Sequence, residues 1–168
     1  NTQPDYETVV CDLQYEKIPD DSLKEVDTVF HLAGFAHDLR NATKKEHIYR
    51  QVNVDSTVRL AKLAVASGVK NFVFVSSVKA GGYDEVDVEA KPEGVYGQTK
   101  REAELKLLEI GRQSEMHVSI VRPSLVYGVG VKGNLAMMRK GIKQGWFPPL
   151  PTTGNSRSMI HVDDLVQA

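Results

Sequence analysis

The chain has 168 residues, of which 41% are hydrophobic and 26% are charged, with a formal net charge of −1. This is the composition of a globular domain, and the interspersed charges do not favour binding to nucleic acid or to an anionic membrane. Apolar runs fall short of the ~18 residues of a membrane span, and the single Cys11 excludes an internal disulfide and favours the reducing cytoplasm.

The predicted elements are apolar strands that alternate with amphipathic helices. In chain order, strands are predicted at residues 8–13, 27–34, 69–77, 117–121 and 158–162. Asp163 is the expected N-cap of a last helix, and earlier helices are predicted at residues 44–67, 96–111 and 132–144. No strand alternates polar and apolar residues, which is typical of a parallel sheet covered by helices on both faces. The sequence therefore predicts an α/β fold with a doubly wound parallel sheet.

Chemically distinctive residues follow the predicted strands, at the ends where parallel sheets bind their ligands. They are Asp12, Gly34, Ser76, Ser77, Pro123 and Tyr127. Because the carboxyl ends of parallel strands meet at one edge of the sheet, these residues are expected to line one crevice. This crevice is the predicted ligand site.

Tyr96 and Lys100 stand four residues apart at the start of a predicted helix, so both lie on one helical face. A free tyrosine ionises near pH ~10, and forming its anion at pH 7 costs roughly 4 kcal/mol. A neighbouring cation reduces that cost, so Lys100 is predicted to lower the pKa of Tyr96. Ser77, at the end of the preceding strand, could donate a hydrogen bond to the oxygen of a carbonyl or an alkoxide. The three side chains suit proton transfer coupled to hydride transfer.

Two other kinds of site are not favoured by the sequence. His31, His37 and Asp38 straddle a strand end without a second cluster of metal ligands, so no metal site is predicted. Ser76 and Ser77 lie outside any Gly-x-Ser-x-Gly elbow, so a hydrolytic serine is not predicted either.

Several motifs occur together in an order that resembles a known family. They are His31–Gly34 (HLAG), Ser76–Ser77 before a loop, Tyr96-x-x-x-Lys100, Arg122–Pro123, Val126–Gly128 (VYG) and Arg157–Leu165 (RSMIHVDDL). This ordered set resembles the extended short-chain dehydrogenase/reductase family, specifically its nucleotide-sugar epimerase/dehydratase group. Residues 77–134 are most similar to bacterial UDP-sugar 4-epimerases and 4-ketoreductases of surface-polysaccharide synthesis. The resemblance covers nearly the whole chain.

The resemblance implies a role for each matching residue. Ser77, Tyr96 and Lys100 match the catalytic set, and Ser77 is also implied to contact the substrate. The residues that match cofactor contacts are Asp12, Leu13, Ala33, Gly34, Asn53, Ser76, Tyr96, Lys100 and Pro123. Asn134 and Arg157 match residues that hold the substrate diphosphate, a role that suits an arginine fork. The implied cofactor is NAD or NADP, the implied substrate a nucleoside-diphosphate sugar, and the implied assembly a homodimer.

Three departures from the family pattern limit what the chain is expected to do. The Gly-x-x-Gly-x-x-Gly turn that binds the cofactor pyrophosphate at a helix N-terminus is absent from the sequence. Ala36 replaces a lysine found in some epimerases, and Leu125 replaces an asparagine that touches the sugar nucleotide in many members. Residues 1–130 are therefore interpreted as a partial Rossmann domain, and residues 131–168 as the start of a substrate-binding region. In isolation the chain is expected to bind NAD poorly and to be inactive.

The primary hypothesis is an NAD(P)-dependent nucleotide-sugar 4-epimerase that uses Ser77, Tyr96 and Lys100. A 4-ketoreductase or a dehydratase of the same family is the alternative, because the three side chains do not separate these reactions. A hypothesis of another class is a non-catalytic domain that binds a nucleotide or a partner protein.

Overall fold

The structure is a computed structural model that describes residues 6–36, 43–81, 91–131, 133–147, 154 and 158–168. The chain divides into two compact units, Asn1–Arg122 and Pro123–Ala168. In the part described, no helix is both long enough and apolar enough to span a membrane.

The first unit is built on a three-stranded parallel sheet. Its strands, in the spatial order β1-β2-β3, are β1 (Thr28–His31), β2 (Asn71–Val75) and β3 (His117–Val121). Val29 is opposite Phe72, and Phe72 is opposite Val118, so these apolar residues share one face of the sheet. The predicted α/β fold with a parallel sheet is confirmed.

One long helical segment connects β1 to β2. It consists of a 3₁₀ turn (Thr43–Lys45), α1 (Glu46–Arg50), a π-helical turn (Gln51–Asp55) and α2 (Ser56–Ala66). After it, Gly68 has a φ of +76°, a left-handed conformation that glycine adopts without strain. The helix predicted over residues 44–67 is thus observed, with a π-helical turn that the spacing of its apolar residues does not indicate.

The helix α3 (Gly94–Arg112) connects β2 to β3. Together with α2 it covers one face of the sheet, and the buried cluster there includes Phe72, Phe74 and Leu107. These three side chains have no exposed surface, and the burial of each contributes about 1.5–3 kcal/mol. Phe30, on the opposite face, is 66% exposed. Within the described residues of this unit, α2 and α3 thus pack on the same face of the sheet.

Residues 8–13 do not form the predicted strand. The structure describes an irregular segment that ends in a turn, in which the main-chain N–H of Tyr15 donates to the carbonyl of Asp12 (3.1 Å) and that of Gln14 donates to the Asp12 carboxylate (2.9 Å). Aspartate favours such turns because its side chain bonds the main chain two residues further on. Val10 is 91% exposed. A run of β-branched residues forms a strand only when a neighbouring strand can pair with it, and the described residues provide none for this segment.

The second unit contains a two-stranded parallel sheet and two helices. In chain order they are β4 (Leu125–Tyr127), α4 (Gly133–Lys143), β5 (Met159–His161) and α5 (Val162–Gln167). The strand β4 was not predicted, because three residues are too few to show a pattern. The predicted N-cap Asp163 is wrong, since His161 precedes the helix in an extended conformation and its side chain accepts from the N–H of Asp163 (3.3 Å). Asp163 instead lies in the first turn, where a carboxylate interacts favourably with the helix dipole.

Candidate active site

Ser77 lies just beyond the carboxyl end of β2, in a short turn that fixes its direction. Its backbone is extended (φ −160°, ψ 149°), and it caps a 3₁₀ turn, Val78–Ala80, in which its hydroxyl accepts from the N–H of Lys79 (3.3 Å). Gly81 ends the turn with a φ of 87°, which a residue with a side chain rarely adopts. The segment Ser77–Gly81 is called the serine turn below.

The serine turn is held against the first turns of α3. The main-chain N–H of Glu93 donates to the carbonyl of Lys79 (2.8 Å). Gly97 faces the same carbonyl so closely that a Cβ atom there would lie 2.1 Å from the oxygen. Sequence reasoning did not assign Gly97 to the site, although a glycine directly after Tyr96 inside a helix is the signal that could have found it.

Tyr96 reaches the serine turn from α3. Burial raises the pKa of its phenol above the ordinary value, a side-chain hydrogen bond with Ser77 acts in the opposite direction, and nearby Tyr49 raises it further. This effect of Ser77 on the pKa of Tyr96 places the two side chains near each other. The phenol is therefore protonated at neutral pH in this structure and is ready to act as an acid.

Lys100 lies one turn further along α3 and is only 2% exposed. Its ammonium donates to the carbonyl of Val75 at the end of β2 (3.0 Å) and lies 4.5 Å from the centroid of the Phe74 ring. Burial lowers the pKa of Lys100 to about 8, and Glu104 opposes this shift. The effect of Lys100 on the pKa of Tyr96 stays a prediction, since Lys100 is not among the groups that shift this pKa here and its ammonium is turned to the strand carbonyl.

Asn53 lies in the π-helical turn and joins two parts of the site. Its side-chain oxygen accepts from the N–H of Phe35 (2.7 Å), and its amide donates to the Phe35 carbonyl (3.1 Å) and to the hydroxyl of Thr99 (3.2 Å). The segment after β1 is therefore fixed to α3. A Cβ atom on Gly34 would lie 3.2 Å from the Lys100 ammonium and 3.3 Å from the Asn53 oxygen, so the predicted residues Gly34, Asn53 and Lys100 converge. A π-helical turn frequently marks a functional site.

His31 lies below this group, in the core. Its Nε2 is 2.8 Å from the hydroxyl of Thr57, which donates to the carbonyl of Asn53 (2.9 Å), and its ring stacks on Phe74 at 5.6 Å. Burial and then Lys100 lower the pKa of His31 to about 4, so the imidazole is neutral at pH 7. Among the described residues, no group of three or more His, Cys, Asp or Glu side chains could hold a metal ion. The candidate ligands His37 and Asp38 lie outside those residues.

Two buried hydroxyl groups near the site have no hydrogen-bond partner in the described part of the chain. One belongs to Ser76, whose main-chain N–H continues the sheet by donating to the carbonyl of Val121 (2.7 Å). The other belongs to Tyr49, which is fully buried with its ring edge against Phe35 (4.8 Å between centroids). Leaving such a group unpaired costs about 1–3 kcal/mol, so each of these two hydroxyls calls for a partner. Sequence reasoning did not select Tyr49.

The structure describes the remaining predicted site residues only in part. Asp12 and Leu13 lie in a surface turn that Arg59 of α2 holds through the Leu13 carbonyl (2.8 Å). Ala33 is exposed beside Gly34, whereas Pro123 and Asn134 belong to the second unit, Asn134 in the first turn of α4. Arg157 lies outside the described residues, and for Asn134 the structure describes only the main chain.

The fold and the site together define a class of protein. It is a parallel α/β domain in which a serine and a tyrosine meet beside a buried lysine at the carboxyl edge of the sheet. The family model of the NAD dependent epimerase/dehydratase family matches residues 1–168, and the chain belongs to that family.

Individual relatives agree with this assignment. The chain is 39% identical to the UDP-glucose 4-epimerase of Vibrio cholerae over 155 residues, which are 86% of this chain and 47% of the relative. It is 29% identical over 166 residues to the N-acetyl-alpha-D-glucosaminyl-diphospho-ditrans,octacis-undecaprenol 4-epimerase of Escherichia coli O157:H7, covering 95% of this chain and 49% of that protein. The solved structure of MoeE5 in complex with UDP-glucuronic acid and NAD matches with a TM-score of 0.73 and 31% identity, over 88% of this chain and 52% of MoeE5. The chain thus spans about half the length of these relatives.

Proposed function

We propose that the chain is the serine–tyrosine–lysine part of an NAD-dependent nucleotide-sugar 4-epimerase. The observation that carries the proposal is the placement of Ser77, at the end of β2, next to Tyr96 in the first turns of α3, with the buried Lys100 held at the same end of β2. The reaction is supported by the identity of 39% with an enzyme named UDP-glucose 4-epimerase. A UDP-sugar is therefore the proposed substrate class.

The residues at the sheet edge fit the nicotinamide half of NAD. Gly34 leaves open the space next to the Lys100 ammonium that a side chain would fill, and the hydroxyl of Ser76 is buried without a partner in the described residues. Hydroxyl groups of a ribose and the oxygen of a carboxamide are chemically suited to such donors. The residues proposed to hold the cofactor are Asp12, Leu13, Ala33, Gly34, Asn53, Ser76, Tyr96, Lys100 and Pro123. NADP would make the same contacts at this half of the site.

Proton transfer is assigned to Tyr96. When bound, NAD would accept a hydride from the sugar carbon and return it to the opposite face. Once its phenol has lost its own proton to solvent, Tyr96 takes the proton of the C4 hydroxyl as the hydride leaves and gives it back when the alcohol forms again. The hydrogen bond from Ser77 favours the anionic form of Tyr96 and opposes the effect of burial on its pKa. When the sugar binds, the single hydroxyl proton of Ser77 would instead be donated to the sugar oxygen as its charge changes.

Lys100 is assigned to the cofactor side of the site. Its ammonium is fixed by the carbonyl of Val75 and lies against the ring of Phe74, so it presents a donor and a positive charge at the end of β2. Asn134 and Arg157 are proposed to hold the substrate diphosphate, and the assembly is proposed to be a homodimer. These parts of the proposal rest on the family resemblance alone.

The test is an assay of the full-length gene product with UDP-glucose and UDP-galactose. An epimerase interconverts the two, as followed by anion-exchange chromatography, without net consumption of NAD. A 4-ketoreductase of the same family instead consumes one reduced cofactor per turnover, and a dehydratase releases a 4-keto-6-deoxy sugar. Either of these products, or a folded protein with no turnover, would contradict the 4-epimerase proposal.

A further inference from the structure

A buried carboxylate lies one helical turn beyond Lys100. Tyr96, Lys100 and Glu104 follow one another at four-residue spacing, so all three lie on the same face of α3. Glu104 has no exposed surface. A buried charge is costly unless it is paired, so a carboxylate at this position requires a specific reason.

Arg122, directly after β3, pairs with that carboxylate. Its Nε donates to one carboxylate oxygen of Glu104 (2.8 Å) and its Nη2 donates to the other, which forms a two-point fork. Arg101 adds a further contact at 3.5 Å. The two-point contact therefore sets the orientation of the Arg122 guanidinium and also pairs the two charges.

The third donor of Arg122 reaches the serine turn. Its Nη1 donates to the carbonyl of Gly81, the last residue of that turn. One guanidinium thus joins the turn that carries Ser77 to the helix that carries Tyr96. The contact of Gly97 with the Lys79 carbonyl holds the other end of the same turn, so the turn is fastened to α3 at two points.

Within the described residues, charged or titratable groups lie on several elements around Lys100. His31 on β1 is neutral at pH 7, because its pKa is lowered to about 4. Tyr49 on α1 and Tyr96 on α3 are phenols, and Arg122 after β3 is a cation that the carboxylate of Glu104 neutralises. Glu104 favours the charged form of the Lys100 ammonium, whereas burial disfavours it.

We propose that Glu104 is a positioning residue of the site. Held by Arg122, its carboxylate favours the charged form of Lys100 on the same face of α3 and, through Arg122, fastens the serine turn to α3. The proposal rests on the proposed function for its activity measurements, but not for the titration of Lys100 described next.

The first measurement is the titration of Lys100 by NMR in the full-length gene product labelled with ¹³C-lysine. The signal of Lys100 is identified as the one missing from the variant Lys100→Arg. In Glu104→Gln, which keeps the shape but loses the charge, the pKa of Lys100 is expected to fall by about one unit or more, a tenfold change in the ratio of its two forms. The control is Glu109→Gln, an exposed carboxylate further along α3 that accepts from Gln113. An unchanged Lys100 titration in Glu104→Gln would overturn the proposal.

The second measurement separates positioning from simple stabilisation. In Glu104→Gln, kcat is expected to fall about tenfold or more, with the KM for the UDP-sugar within about threefold of the original. In Arg122→Lys, the charge beside Glu104 remains but the fork and the contact with Gly81 are lost. This variant is expected to lower kcat while the Lys100 titration stays near its original position. Because the second variant keeps both charges, it remains informative if Glu104→Gln does not fold, and an unchanged kcat in it would overturn the proposal.

The outcomes for the two proposals are distinguishable. If the unmodified protein shows no epimerase activity, the proposed function fails, and the titration of Lys100 still decides the role of Glu104. If the protein is an active epimerase and Glu104→Gln leaves both the titration and kcat unchanged, only the role of Glu104 fails.

Discussion

Gly97 and Lys79 approach each other more closely than any side chain at position 97 would allow. A Cβ atom on Gly97 would lie 2.1 Å from the main-chain oxygen of Lys79 and 3.0 Å from its carbonyl carbon. The same oxygen accepts from the N–H of Glu93, so it cannot move away without losing that bond. The contact brings Ser77 and Tyr96 together.

The variant Gly97→Ala is expected to destabilise the protein and to reduce activity. In an open helix this change would stabilise by about 1 kcal/mol. Here the clash with main chain outweighs that gain, and overpacking of this kind typically costs about 1–3 kcal/mol. Thermal unfolding and kcat are measured together. The control is Gln98→Ala, at the exposed neighbouring position, which should leave both nearly unchanged. A Gly97→Ala protein as stable and active as the original would contradict the role of this contact.

The variant Tyr96→Phe tests the assignment of proton transfer. Removing the hydroxyl takes away the acid and base but little volume, so kcat should fall about 10²–10⁴-fold. The unfolding temperature should change little, because the phenol makes its hydrogen bond within the site. Tyr15→Phe, which alters an exposed tyrosine, is the matched control. Activity retained within about threefold in Tyr96→Phe would assign the proton to another group.

Lowering the pH is expected to destabilise the protein through His31. The unfolded chain takes up a proton near pH 6.5, whereas the folded chain does so only near pH 4, because burial lowers the pKa of His31. Stability therefore falls as the pH falls through this window, by roughly 3 kcal/mol at its lower end. Urea unfolding of the original protein and of His31→Gln at several pH values measures the difference.

The control for this titration is His117→Gln, which removes an exposed histidine at the start of β3. Its stability should follow the same pH dependence as the original protein. If His31→Gln also follows that dependence, then His31 is not the group responsible.

Binding of NAD by the isolated 168-residue chain is expected to be weak. The chain contains no Gly-x-x-Gly-x-x-Gly turn to bind the pyrophosphate at a helix N-terminus. Isothermal calorimetry on the chain, after circular dichroism has shown that it is folded, should detect no micromolar binding. A dissociation constant in the micromolar range would show that the residues present suffice.

The parts of the fold that the sequence predicts well are those with long apolar patterns. The strand at 117–121 and the helix predicted at 96–111 each have many apolar residues at the spacing of their element. The structure places both within a few residues of the prediction. The segment at 8–13 shows the limit, because strand formation depends on a partner strand that local sequence does not specify. The strand β4 shows another limit, since three residues are too few to show the spacing of apolar residues that predicts a strand.

The sequence could predict which residues belong to the candidate site, but not how their side chains are arranged. Spacing places Lys100 on the same helical face as Tyr96, but whether its ammonium turns to the phenol or to the Val75 carbonyl depends on packing around Phe74. Asn53 was selected from the resemblance, whereas the π-helical turn that carries it follows from tertiary contacts. Glu104 looks like an ordinary surface charge in the sequence, and only the fold brings Arg122 to it.

The most direct test of the central claim follows the hydrogen at C4 of the sugar. The full-length gene product is incubated with UDP-glucose deuterated at C4, and the products are examined by NMR and mass spectrometry. An epimerase that removes a hydride and returns it to the opposite face predicts UDP-galactose that retains deuterium at C4, and Tyr96→Phe should form this product about 10²–10⁴-fold more slowly. Product that has exchanged its deuterium for solvent hydrogen, or no epimer from a folded protein, would contradict the proposed function.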